Sequence, residues 1–196
     1  MSATASLYYH MQRHRVLISR IVLGLLLLYV FGIERVAIMP FGSALGVAGL
    51  VVIGAGLLVR SLSAGMLHKN KQLTTEGIYA LVRNPLYLGS LLLLIGVNMI
   101  IADPLTAAVS LALFALTYVP TISKEERGLR KAFPGQWEQY AQTTPRLLPR
   151  LTRLGSLAGA SWSFEQWRKN HEHNTILAAV AILGVLFAYG RYIGVQ

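Results

Sequence analysis

The sequence is built around long stretches without charge, and the purest of them, Leu86 to Ala102, constrains the fold most. It is apolar on every side, so a helix formed from it must be covered all round, by protein or by lipid. Four further stretches approach the roughly 20 residues that a helix needs to cross a bilayer. These are Val16 to Ile33, Val36 to Val59, Leu105 to about Ile122, and Thr175 to Tyr192. Arg20 falls inside the first and would have to snorkel toward the headgroups. The second is rich in glycine (Gly42, Gly46, Gly49, Gly54 and Gly56), which suits close contact between helices. Asp103-Pro104 makes a tight turn between the third and fourth. With 54% hydrophobic and only 13% charged residues, the chain lacks the charge to cover a soluble domain. The expected fold is therefore all-α: one multi-pass membrane domain over residues 1–196, with about five transmembrane helices.

The net charge of +10 would suit nucleic acid if the basic residues formed a stripe. They instead flank the apolar stretches, which points to a membrane and excludes a nucleic-acid partner. With a cytoplasmic amino terminus, five spans put every Lys and Arg except Arg35 and Arg191 on the cytoplasmic side. On this reading Arg60, Lys69, Lys71 and Arg83 belong to the second cytoplasmic segment, and Gln196 lies outside. No small-residue cleavage site precedes Glu34 and Arg35, so the first stretch is expected to be an uncleaved span. Cysteine is absent, which excludes disulfides and thiolate chemistry, and no metal site is expected.

Two polar segments carry candidate chemistry. In the first, Leu73 to Gly89, Asn84-Pro85 is expected to cap and start a helix, leaving backbone donors and a positive dipole end for a carboxylate or phosphate. Arg83 beside it is able to bind a carboxylate through two bonds, and Tyr79 and Tyr87 flank it. Each residue alone is an ordinary membrane-boundary anchor. The second segment holds Glu125-Glu126 at the expected end of the fourth span, where acidic side chains oppose the helix dipole. Binding a cation, an amino group or ribose hydroxyls would account for the pair; so would neutralisation by Lys124, Arg127 and Arg130. Phe133-Pro134-Gly135 breaks this helix, and Pro145-Arg146-Leu147-Leu148-Pro149 stiffens the chain beyond it. A Gly/Ser/Ala-rich linker lies between Leu151 and Ser163, and Ser163 to His173 reads as a short interfacial helix with Trp162 and Trp167 at headgroup depth.

Together the two segments resemble the family of membrane methyltransferases that includes isoprenylcysteine carboxyl methyltransferase and phosphatidylethanolamine N-methyltransferase. The first contributes Leu73, Thr75, Gly77, Tyr79, Arg83, Pro85, Tyr87 and Gly89. The second contributes Glu125, Glu126, Leu129, Phe133, Gly135, Trp137, Tyr140, Pro145, Arg146 and Pro149. The family-like core covers about residues 67–150, with the interfacial helix and last span at 161–193. Lys71 and Asn84 stand where the family has histidines, Pro134 is extra, and His68 is a candidate substitute imidazole. The resemblance implies S-adenosylmethionine as methyl donor and a lipophilic acceptor, a carboxylate or phospholipid amine, entering from the bilayer. It implies catalytic roles for Arg83 and Glu126. It also implies donor binding by Lys71, Leu73, Gly77, Tyr79, Asn84, Pro85, Tyr87, Glu125 and Glu126. No Gly-x-Gly-x-x-Gly follows a strand, so the soluble dinucleotide-type route to this donor is absent. The alternatives are an NADPH-dependent sterol-type membrane reductase, which has a similar Arg-x-Pro-x-Tyr segment, and a non-catalytic membrane scaffold.

Overall fold

The computed structural model describes residues 28, 29, 32, 36, 38–67, 72–158 and 160–194. They form seven α-helices and one 3₁₀ turn, with no strand among the described residues. The helices are α1 (Ala44–Met66), α2 (Ile78–Leu81), α3 (Pro85–Ile101), α4 (Pro104–Ala132), α5 (Gln136–Thr143), α6 (Phe164–Lys169) and α7 (Glu172–Tyr192). Three of them (α1, α4 and α7) are long and apolar enough to cross a membrane, and α3 is a shorter apolar helix. Leu111, Leu116 and Val119 on α4 and Leu177, Val180 and Phe187 on α7 are exposed, an arrangement stable against lipid rather than water. The expected first span lies outside the described residues, Leu28, Tyr29 and Gly32 apart.

The helix ends follow local chemistry. Ser43 caps α1 by accepting from the Gly46 N–H at 3.1 Å, and Asp103 caps α4 by accepting from Thr106 at 2.6 Å. That cap starts α1 at Ala44, eight residues after the Val36 expected from hydropathy. Pro85 and Pro104 both occupy the first turn, where their missing N–H costs nothing. Helix α4 runs on to Ala132 rather than stopping near Ile122, because Lys124 to Ala132 is polar but composed mostly of good helix formers. Glu125 and Glu126 are therefore interior to the helix, with Arg130 and Lys131 in its last turn, and the expected conflict with the helix dipole does not arise.

Helices α1 and α3 pack antiparallel at very short range. A Cβ on Gly96 would lie 2.6 Å from the Gly49 carbonyl, and one on Gly89 would lie 2.8 Å from the Gly56 carbonyl. The two glycine pairs recur on one face of each helix, two turns apart, so the backbones touch along a continuous seam. Ile53, Ile100, Ile101 and Leu186 close the core beside it. We expect Gly96→Leu to force this pair apart and lower stability by about 1–3 kcal/mol. Gly54→Ala, which meets nothing within 4 Å, should be neutral or stabilising. Thermal unfolding in detergent compares them; equal melting of Gly96→Leu and wild type would show that the seam does not hold the two helices together.

Beyond the core, α6 docks on the end of α1 and is shorter than the expected 163–173 helix. The Trp162 indole donates to the Ser61 carbonyl at 2.9 Å and occupies the space that a side chain at Gly65 would need. Gln166 and Asn170 both donate to the Leu67 carbonyl at 3.0 Å. Residues Leu151–Leu157 of the expected linker form the 3₁₀ turn.

Candidate functional site

The site forms where the chain after α4 folds back onto the segment before α3. Gly135 supplies the positive φ of +79° that lets the chain turn after Phe133, and its N–H donates to Glu138 at 2.7 Å. Helix α5 then buries Trp137 and Tyr140. Tyr140 donates its hydroxyl to the Tyr79 carbonyl at 2.7 Å. The returning chain is pinned by two main-chain bonds, Arg83 N–H to the Pro145 carbonyl and Arg150 N–H to the Leu81 carbonyl, each 2.9 Å. Residues distant in sequence are thereby laid side by side.

Glu126 is the centre of the resulting cluster. Its Oε1 accepts from the Asn84 amide at 3.0 Å and lies 3.9 Å from Arg83 Nη1. Its Oε2 lies 3.1 Å from Arg146 Nε. Asn84 also donates to the Arg146 carbonyl at 3.0 Å, and Arg146 Nη2 donates to Ser123 at 2.6 Å. Beside this set, Tyr87 donates its hydroxyl to Glu125 at 2.8 Å, and its ring meets Tyr118 edge-on at 5.3 Å. Arg83 lies over the Trp137 ring at 5.8 Å, a cation–π contact. Its Nε is buried and has no hydrogen-bond acceptor among the described residues.

Five of the residues selected from the sequence (Arg83, Asn84, Tyr87, Glu125 and Glu126) are thus brought to one cluster, with Pro85 fixing the helix start beneath them. Asn84 occupies the cap position, but its side chain makes no cap bond; its NH₂ group donates to Glu126 and to the Arg146 carbonyl. Tyr79 is buried, with its hydroxyl 3.4 Å from the Ser63 carbonyl. Leu73 lines a separate cavity of about 160 Å³ with Met66, Thr74, Thr75, Glu76 and Ala160, and the hydroxyl of Thr74 is buried there without a partner among the described residues. Gly77 adjoins that cavity with φ +60°, and a Cβ on it would strike Met66 Sδ at 2.6 Å. Lys71 and His68 lie outside the described residues. Arg146 joins the site although sequence reasoning gives it no role there. Its only signal is the Pro-Arg-x-x-Pro ending, which reads locally as stiffening.

Burial pushes the Tyr79 hydroxyl far above its ordinary value of 10, with Tyr140 and Glu125 adding to the effect and Arg60 opposing it. Burial does the same to Tyr140, against the pull of Arg83. Both stay protonated, so Tyr140 remains a donor and neither serves as a base. Since the folded values are raised, the unfolded chain loses these protons first, and stability should fall as pH rises above about 10. Tyr140→Phe would strand the Tyr79 carbonyl at a cost of about 1–3 kcal/mol. It should also flatten the alkaline loss in a melting series.

The family profile described as phospholipid methyltransferase matches residues 19–136, more than half of the chain and both halves of the cluster up to α5. The chain belongs to the phospholipid methyltransferase family. It is 35% identical over 144 residues to the cobalt-zinc-cadmium resistance protein CzcN of Cupriavidus metallidurans, covering 71% of this chain and 66% of that protein. It is 29% identical over 98 residues to protein-S-isoprenylcysteine O-methyltransferase B of Arabidopsis thaliana, half of each chain. The protein-S-isoprenylcysteine O-methyltransferase of Schizosaccharomyces pombe is 31% identical over 102 residues, 50% of this chain and 42% of that one. The chain therefore spans half or less of these two enzymes. No solved structure matches it. Members of this family are membrane methyltransferases that use S-adenosylmethionine.

Proposed function

We propose that this protein transfers the methyl group of S-adenosylmethionine to a lipophilic acceptor, a carboxylate or a phospholipid amine, drawn from the bilayer. The observation that supports this most is the cluster around Glu126, in which two carboxylates and two guanidiniums share one site. The amino-acid end of the donor carries one ammonium and one carboxylate, so it needs both kinds of partner together. The residues fit it. Arg83 Nε is a buried donor in want of an acceptor, and the 3.9 Å separation of Arg83 from Glu126 is wider than a hydrogen bond.

When bound, S-adenosylmethionine supplies a methyl group activated by its sulfonium. Arg83, held against Trp137, would bind the donor's carboxylate; Glu126, held by Asn84, would bind its ammonium; Glu125, held by Tyr87, would be left for the ribose hydroxyls. The Thr74–Glu76 cavity is a polar space next to Gly77. In-line displacement depends on holding two partners in register, which supplies much of the rate without a strong base. An ionised carboxylate acceptor suits residues that hold rather than remove protons. The distribution of Lys and Arg supports a cytoplasmic position for this end of the bundle.

The test is a calorimetric titration of purified protein with S-adenosylmethionine and, separately, NADPH. It is followed by incubation of membranes with donor labelled in its methyl group. Donor binding and label in the lipid extract are expected. Absence of donor binding, or label confined to water-soluble products, would overturn the reading.

A further inference from the structure

Hydropathy places Arg60 in a cytoplasmic loop, yet it lies inside α1 and is nearly enclosed. Its Nε and Nη2 bind the two carboxylate oxygens of Glu172 at 2.9 and 2.8 Å. Nη2 also donates to Thr175 at 2.9 Å, and Nη1 donates to Ser90 at 2.6 Å and to the Leu86 carbonyl at 3.2 Å. All five guanidinium N–H groups are thus used, and they tie α1 to α3 and to the start of α7. The Glu172 side chain is 1% exposed. Gly89 makes the arrangement possible, since a Cβ there would lie 2.4 Å from Arg60 Cγ.

A buried ion pair of this kind is poor evidence for stability, because desolvation of both charges offsets their attraction and apolar replacements are often as stable. Its contacts suggest another use. The Leu86 carbonyl and Ser90 belong to the first turns of α3, the same turns that carry Tyr87 and follow directly on Asn84. Those two side chains in turn fix Glu125 and Glu126.

We propose that the Arg60–Glu172 pair is the positioning clamp of the site. It sets the first turn of α3 so that Asn84 and Tyr87 meet the two glutamates, and it makes that setting depend on the last helix. Arg60 and Glu172 are positioning residues, acting through Leu86 and Ser90. The link to catalysis rests on the methyltransferase reading; the clamp itself does not.

The test compares wild type with Arg60→Met/Glu172→Met and with Ser90→Ala, reconstituted in lipid nanodiscs. Three readouts are taken: thermal unfolding, hydrogen exchange of residues 84–90, and methyl transfer as kcat and KM. The double variant is expected to melt within about 4 °C of wild type. Exchange at 84–90 should rise about tenfold while the middle of α1 stays protected. Methyl transfer should fall about 10- to 100-fold in kcat/KM, with Ser90→Ala a weaker version of the same. Unchanged exchange at 84–90 in a folded double variant would overturn the clamp, as would wild-type turnover in a variant whose exchange has risen. If the double variant does not fold, Ser90→Ala decides on the same readouts. A wild-type protein that transfers no methyl group would count against the proposed function, and the exchange result would still decide the clamp.

Discussion

Glu126→Gln should leave the protein folded while weakening S-adenosylmethionine binding about 10- to 100-fold, the effect of losing one charged hydrogen-bond partner worth ~1.5–3 kcal/mol. The shape of the side chain is kept, so packing along α4 is unchanged. The polar contacts are not, because Asn84 donates to one oxygen of Glu126 and the Arg146 guanidinium stands 3.1 Å from the other as an ion pair. A glutamine has a single oxygen to offer, so its NH₂ must meet a donor whichever way it turns. The negative charge that balances the donor's ammonium is lost as well. Calorimetry of donor binding, with circular dichroism as the folding control, measures both effects. Wild-type affinity in a folded Glu126→Gln would remove Glu126 from the site.

Arg83→Ala should be at least as severe, with donor binding weakened about 100-fold. The variant deletes the guanidinium that lies over Trp137 and whose Nε has no acceptor among the described residues. The chain should nevertheless keep its course, because the bond from residue 83 to the Pro145 carbonyl is made by the main chain and survives the substitution. Arg83→Lys keeps the charge without the planar fork and should fall between alanine and wild type. A decarboxylated analogue of the donor sharpens the test, since it offers Arg83 nothing to bind. Wild type and Arg83→Ala should then bind it with nearly equal affinity. A variant that loses affinity for the analogue as strongly as for the donor would show that Arg83 supports the fold rather than a carboxylate.

Some of this is legible from residues close together in sequence. Asn84-Pro85 marks the start of α3, Asp103-Pro104 the start of α4, and Phe133-Pro134-Gly135 the end of α4, because each is a local stereochemical or capping signal. The glycines of the second apolar stretch announce close packing, and the structure divides them. Gly46, Gly49 and Gly56 meet backbone atoms that leave no room for a Cβ, whereas Gly42 and Gly54 meet nothing within 4 Å. Sequence alone does not separate the two groups, since the difference lies in which positions the fold brings against other backbone: α3 for Gly49 and Gly56, the turn at Pro40-Phe41 for Gly46. The end of α4 falls ten residues later than hydropathy places it, because hydropathy stops at the first charges and helix formation does not require apolar residues.

The chain's own order of residues determined that it needs a bilayer, where its helices start, and which family motifs it carries, since all of these depend on neighbours within a turn or two. Tertiary structure alone decided that Arg146 would join Glu126, that Asn84 would turn from its cap to a carboxylate, and that Arg60 would leave its expected loop for Glu172, 112 positions away. Each of those contacts joins groups far apart in sequence. It is fixed only when the chain has folded back and water has been excluded.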